Sequence, residues 1–397
     1  MRKLMMLAFS ALFLLSLNAA NPKKHYTVIV SLDGFRWDYP AMYRTPNLDR
    51  MAADGVKAVM LPSYPASTFP NHYTLATGLV PDHHGIINNT FWDAKNKRQY
   101  SMGDSATRNN PEYYLGEPIW ITAQKQGVKT SNMYWVGADI AIKNAHPTYY
   151  RPWNVKPFLS FEQRIDTVLT WLQKPEEERP GLVMLYFEEP DGSGHHNGPR
   201  SSQTGAVVQR MDSLMGVLRK KIEALPFAGD VNLIVTSDHG MTDISAERVV
   251  NINDYLKPEW CEVVDGRTPT SIFSKPEYRD SIYNTLKKAA HIKVWKKEEI
   301  PAELHYGSSD RIGDIVVAPE LGWQFTDVAR DTKGAHGYFP QSPDMQVMFR
   351  AIGPDFKTGY TAKGFVNVDI YPLLSYLLQI VPEKTDGQFE RIRDVLR

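Results

Sequence analysis

The chain has 397 residues, 42% hydrophobic and 23% charged, with 45 Lys and Arg set against 45 Asp and Glu. This is the composition of an ordinary globular protein long enough to bury a full-sized core, not that of a low-complexity chain. The charge balance argues against wholesale attraction to nucleic acid or to an acidic membrane surface, so any anion must be held locally.

Arg2 and Lys3 precede an apolar run from Leu4 to Leu17, followed by Asn18, Ala19 and Ala20 and then a polar segment from Asn21 to His25. That order is the three-part form of a secretory signal peptide over 1–20, and its apolar run falls short of the roughly 20 residues needed to span a bilayer. The mature chain, 21–397, is expected to be exported, periplasmic or secreted, without a membrane span. Cys261 is the single cysteine. It has no internal disulfide partner, so packing and metals must stabilise the protein in an oxidising compartment.

Tyr26 to Leu32 is a β-branched apolar run that stops at Asp33-Gly34, as a buried strand does when it hands over to a loop. Similar runs are Leu182 to Phe187, leading into Glu188-Glu-Pro-Asp191, and Val231 to Thr236, leading into Ser237-Asp-His-Gly240. A further run, Ile315 to Val317, follows Gly313-Asp314. Helical patterns lie between these runs at Pro46 to Ala53, Pro70 to Thr77, Phe161 to Gln173, Gln203 to Ala224 and Val368 to Gln379. Strands alternating with helices predict an α/β fold with a mainly parallel sheet covered on both faces, and ligands of such sheets gather beyond the carboxyl ends of the strands. Asp33, Asp191 and Asp238 are all predicted at that edge. The stretches 89–156 and 258–313 show weaker periodicity and read as insertions that wall the site of a single domain.

Two divalent ions need ligands from several segments, and zinc accepts Asp and His together. The candidates are Asp33, Asp191 with His195, the pair Asp238-His239, and His336 within Gly334-Ala-His-Gly337. They share a setting: glycine beside the side chain, where backbone bends and a ligand can approach. Pro190, Gly192 and Gly194 predict that Asp191 and His195 lie on a loop rather than a regular helix. His83, His84 and His196 read as non-ligands, with His84 packed near the helix that follows Thr68 and His196 facing solvent. Thr68 stands just before a proline-marked helix start in Thr68-Phe-Pro-Asn-His72. On that segment alone it reads either as an N-cap or as a nucleophile whose anionic form and bound phosphoryl group the helix terminus favours.

Taken together these residues resemble the nucleotide pyrophosphatase/phosphodiesterase family of the alkaline phosphatase superfamily. The likeness rests on Ser31-Leu-Asp-Gly-Phe35, Thr68 to His72, Thr77-Gly-Leu79, His84-Gly-Ile86, Gly116-Glu-Pro-Ile-Trp120, Glu188 to Asp191 with His195, Ser237 to Gly240, and Gly334 to Gly337. It implies an alkaline phosphatase-like three-layer α/β/α sandwich and a two-zinc phosphodiesterase that releases nucleoside 5′-monophosphates. It further implies Asp191, His195 and His336 on one zinc, and Asp33, Asp238 and His239 on the other with the Thr68 hydroxyl. Thr68 would carry a covalent nucleotidyl intermediate, and Asn89, beside Asn88, would hold a phosphate oxygen. Phe69 and Tyr186 are implied to flank a nucleotide base. Trp153-Asn154 is placed in the same wall and Arg108 near a distal phosphate. Two zinc ions and three carboxylates leave a positive surplus that an anionic diester would neutralise.

The expected partner is therefore a small nucleotide or other phosphodiester, not a stable nucleic-acid complex. Choline-lipid phosphodiesterases and phosphomonoesterases share the metal residues and stand as alternatives, with a non-catalytic binding protein as the reading from a different class. A sulfatase would need a modifiable Cys or Ser in its own nucleophile motif, which Trp260-Cys-Glu-Val263 does not supply.

Overall fold

The computed structural model describes residues 24–153, 155–325 and 332–397. The expected leader and Asn154 lie outside the described residues. Three apolar runs become the centre of the molecule: β1 (Tyr26–Leu32) is flanked by strands Leu182–Phe187 and Val231–Thr236, and every residue of all three is buried. Continuous burial is what a strand covered on both faces requires. In chain order the remaining strands of this sheet are β2 (Val56–Leu61), β3 (Thr130–Met133) and β4 (Tyr149–Arg151) before those two, which are β5 and β6, then β7 (Val347–Ile352), β8 (Tyr360–Thr361) and β9 (Phe365–Val366). The sheet runs β8-β2-β7-β6-β1-β5-β3-β4, with β9 also paired to β2. Only β7 runs antiparallel to its neighbours, so the sheet is mainly parallel.

Helices cover the sheet in two layers. α5 (Ser202–Glu223) packs against both α1 (Pro46–Asp54) and α3 (Phe161–Leu172), and α2 (Thr68–Thr77) packs with α6 (Ile370–Leu377). α3 starts at a capping box, Ser160 accepting the Gln163 N–H while Gln163 accepts that of Ser160. α2 stops at Gly78, whose φ of +66 allows its N–H to close on Thr74 O. Among the described residues no helix is long and apolar enough to cross a membrane.

The strands depart from the sequence reading in three places. Ile315–Pro319 belongs to a separate four-stranded antiparallel sheet, ordered Cys261–Gly266, Thr270–Ser274, Ile315–Pro319, Ile292–Lys296. Its own core holds Ile252, Ile272, Ile282, Leu286, Val294 and Val317. An apolar run reports burial, not which sheet does the burying. β3 and β4, inside the stretch read as insertion, pair into the central sheet, where Thr130, Ser131 and Asn132 are fully buried polar residues without an apolar signature. β2 and β7 were not expected as strands. Lys57 interrupts the first, and Arg350, buried to 8% exposure, interrupts the second.

Candidate active site

Asp33, Asp191 and Asp238 follow β1, β5 and β6 and meet at the carboxyl edge of the sheet, as predicted. Backbone bonds stitch these exits together: Asp33 N–H donates to Phe187 O and Asp191 N–H to Asp33 O, each at 2.9 Å. Gly34 has φ +70, and a Cβ there would lie 2.9 Å from Asp191 Cα. Only glycine permits both the left-handed turn and that approach.

Asp191 and His195 do not lie on a loop. They occupy α4 (Asp191–Asn197), one turn apart on the same face. The helix forms despite Gly192 and Gly194 because Glu189 accepts the Ser193 N–H at 3.0 Å. Gly194 also packs so closely that a Cβ would press on Met241 at 3.2 Å. Tertiary contact outweighs the propensity cost of two glycines.

Ser67, not Thr68, stands at the N-cap of α2, without a side-chain cap, and Thr68 is the first helical residue. Its hydroxyl is thereby released from capping and lies 3.1 Å from His239 Nε2. One turn further on is His72, to which the sequence reading gave no role. Its Nδ1 donates to Thr68 O at 2.9 Å and lies 3.3 Å from Asp238 Oδ2, and Nε2 bonds Ser31 Oγ at 2.8 Å. Burial lowers its pKa to about 3. The only sequence signal was its helical spacing of four from Thr68.

Each candidate histidine ligand is held the same way. His195, His239 and His336 donate Nδ1–H to the carbonyls of Gly334, Gly240 and Ala66 at 2.8, 2.8 and 3.0 Å. This fixes the tautomer and leaves Nε2 with a lone pair, as in metal-binding imidazoles whose other ring nitrogen donates to a carbonyl. Those Nε2 atoms face carboxylates: His239 lies 3.4 Å from Asp33 Oδ1 and 3.2 Å from Asp238 Oδ2, and His195 and His336 lie 3.4 and 3.7 Å from Asp191 Oδ1.

The same oxygens, Asp33 Oδ1, Asp191 Oδ1 and Asp238 Oδ2, are buried without a hydrogen-bond partner among the described residues. A buried acceptor without a donor is costly, and lone pairs facing lone pairs are satisfied by a cation between them. The donor set thus fits divalent metal on the structure's own terms. The ligand atoms of Asp33, Asp238 and His239 lie within 4.8 Å of one another, as do those of Asp191, His239 and His336. His239 stands between the two groups, and the His195 ring is 5.0 Å from that of His336. Burial first, then the neighbouring carboxylates, raises the pKa of Asp33 and Asp238.

The expected substrate residues are disposed differently from one another. Asn89 Oδ1 accepts the N–H of Phe69, the residue after Thr68, at 2.8 Å, which leaves the Asn89 amide NH2 as a donor. Asn88 Oδ1 accepts the Asn89 N–H. Phe69 and Tyr186 are each 3% exposed and belong to the main core. Trp153 is half-buried, its ring 5.3 Å from that of Tyr186, and lines a cleft of about 550 Å³ with Tyr134, Phe158, Phe161, Arg164 and Glu188. The Arg108 guanidinium is engaged by Met102 O and Asn109 Oδ1. His84 packs on α2, its Nε2 3.0 Å from Thr74 Oγ1 and 3.1 Å from Pro70 O; His83 pairs with Asp386, and His196 is exposed.

Comparison with known proteins gives a consistent answer. The family model for type I phosphodiesterase / nucleotide pyrophosphatase matches residues 27–339. Human ectonucleotide pyrophosphatase/phosphodiesterase family member 5 is 34% identical over 391 residues, covering 98% of this chain and 81% of its own. Bovine bis(5′-adenosyl)-triphosphatase ENPP4 is 34% identical over 404 residues, covering 100% and 87%. The solved structure of murine ectonucleotide pyrophosphatase/phosphodiesterase 5, an inactive threonine-to-alanine variant in complex with AMP, superposes with a TM-score of 0.89 at 34% identity, covering 94% of this chain and 100% of that one.

Proposed function

The chain belongs to the type I phosphodiesterase / nucleotide pyrophosphatase family, and we propose that it is a two-zinc enzyme that splits nucleotide phosphodiester or pyrophosphate bonds with Thr68 as nucleophile, releasing nucleoside 5′-monophosphates. The observation that carries this reading is the placement of the Thr68 hydroxyl, 3.1 Å from His239 Nε2, in a site with three buried carboxylate oxygens that lack hydrogen-bond partners among the described residues. The murine relative solved with AMP and the bovine relative's name support a nucleotide substrate by likeness.

Zinc held by Asp191, His195 and His336, and by Asp33, Asp238 and His239, would supply Lewis-acid polarisation of the phosphoryl oxygens and a lowered pKa for a bound hydroxyl. The chain's own residues do the positioning. Ser67 leaves the Thr68 hydroxyl uncapped, and the α2 terminus favours negative charge at Oγ1 and on the phosphoryl group above it. Thr68 Oγ1 gives up its proton and forms a bond to phosphorus as the bond to the leaving oxygen breaks, the leaving oxygen departing with the electron pair and the proton passing to water, and the nucleotidyl group is carried on Thr68. The Asn89 amide donates to a non-bridging oxygen, its orientation set by the Phe69 N–H. Water then cleaves the Thr68–phosphorus bond, releasing the monophosphate and restoring the hydroxyl. Half-buried Trp153 offers aromatic surface for a base, whereas Phe69 is packed in the main core and the Arg108 guanidinium is held by Met102 O and Asn109 Oδ1. The leader-like first 20 residues make export part of the same proposal.

Hydrolysis of a nucleotide p-nitrophenyl diester, p-nitrophenyl phosphate and p-nitrophenyl phosphorylcholine, measured side by side on zinc-loaded protein, tests the reading. Preference for the nucleotide diester is expected. Preference for phosphorylcholine moves the protein to the choline-lipid branch, and preference for the monoester overturns the diesterase assignment.

A further inference from the structure

We propose that Tyr186 is a positioning residue for the candidate metal ligand Asp33: its hydroxyl holds one carboxylate oxygen so that the other is presented to the cation. This rests on the two-zinc reading and replaces a role for Tyr186 in flanking a base. In the parallel pairing of β1 with β5, Tyr186 stands opposite Ser31. Its side chain therefore leaves the sheet on the face that Ser31 and Asp33 share. The hydroxyl donates to Asp33 Oδ2 at 2.6 Å, while Asp33 Oδ1 has no hydrogen-bond partner among the described residues and lies 3.4 Å from His239 Nε2. One oxygen is thus occupied and the other aimed.

The phenol ring has no freedom to do otherwise. It is 3% exposed, edge-on to His72 at 4.9 Å and 89° on one side, and 5.3 Å from Trp153 at 65° on the other. Of the two rings, Trp153 is the more exposed. His72 itself bonds Thr68 O, so the ring that orients Asp33 also packs on the residue that anchors the first turn of α2. A carboxylate held through one oxygen loses less freedom when a cation takes the second, which is why outer-shell donors to metal ligands are worth roughly 10–100-fold in metal affinity.

The test is zinc affinity rather than turnover. Wild-type protein and Tyr186→Phe are stripped with chelator, checked by circular dichroism and melting in the metal-free state, and titrated with zinc in competition with a chromophoric chelator. The expected result is that wild-type protein binds two zincs, and that Tyr186→Phe weakens one of them on the order of 10–100-fold and leaves the other unchanged. Trp153→Phe, which keeps an aromatic ring against Tyr186, is expected to leave both affinities as they are. Equal affinities in wild type and Tyr186→Phe would overturn the positioning role while leaving the zinc reading intact; a wild-type protein that binds no zinc would overturn the zinc reading itself. Should Tyr186→Phe fail to fold, 3-fluorotyrosine at position 186 keeps ring and hydroxyl but changes donor strength. A zinc affinity that does not move with that change also overturns the proposal.

Discussion

His239 and His336 lie face to face, their ring centroids 3.7 Å apart and their planes within 15° of parallel. One comes from the loop after β6. The other follows the short pairing of Gly334–Ala335 with Thr242–Asp243, which brings a distant segment against that loop. Burial lowers the pKa of both, that of His336 to about 4, and for His239 the neighbouring His336 lowers it further. Two neutral rings can stack where two imidazolium ions would repel, and each then offers Nε2 as a lone pair. Because His336 donates Nδ1–H to Ala66 O, the same stack also ties the ligand loops to the segment just before Thr68.

The carboxylates make a prediction about the metal-free protein. Burial, then the neighbouring carboxylates, raises Asp33 and Asp238, the latter to about 7. A carboxyl raised on folding keeps its proton longer in the folded state. Its contribution to stability is full below the unfolded value of about 4 and is lost as pH rises through the folded value. The melting temperature of chelator-treated wild type relative to Asp238→Asn is therefore expected to fall from about pH 4 to about pH 7, and zinc is expected to abolish the fall. A difference that rises with pH, or ignores it, contradicts the arrangement.

Asn89 separates holding from donating. Asn89→Asp keeps an acceptor for the Phe69 N–H but removes the donor, whereas Asn89→Ala removes both. Both variants are expected to lose on the order of 10²–10³ in kcat/KM, and the alanine variant alone to lose about 1 kcal/mol of stability. Steady-state kinetics and denaturant melts distinguish these effects. Activity at wild-type level in Asn89→Asp would remove Asn89 from the account.

At Gly34 the left-handed backbone and the 2.9 Å approach to Asp191 Cα act together. Gly34→Ala is expected to cost about 1–3 kcal/mol and, by displacing Asp191, to weaken zinc binding. A melt and a zinc titration matching wild type would show that the two strand exits are not coupled in this way.

Much of this was legible beforehand, and what was not has identifiable causes. The three central strands announce themselves as apolar runs that end at acidic residues, because burial on both faces leaves no room for alternation. That pattern alone places Asp33, Asp191 and Asp238 on one edge of the sheet. The α4 helix was hidden because Gly192 and Gly194 argue against it locally, and the contact with Met241 that permits it comes from a distant loop. β3 escaped because three of its four buried residues, Thr130, Ser131 and Asn132, are polar. Tyr186 could be read as a wall residue because the sequence says that a strand tyrosine is buried without saying what its hydroxyl finds. His72 sat within a quoted motif, yet its contacts with Ser31 and Asp238 depend on how β1, β6 and α2 come together.

The central claim is that Thr68 attacks phosphorus while the six Asp and His residues hold the metal, and Thr68→Ala tests both halves in one preparation. Zinc content by elemental analysis and hydrolysis of a nucleotide p-nitrophenyl diester are measured on the same protein. The account predicts about two zincs retained and turnover reduced by at least about 10³-fold. Turnover close to wild type would contradict Thr68 as the nucleophile, and loss of both metals would contradict the ligand set.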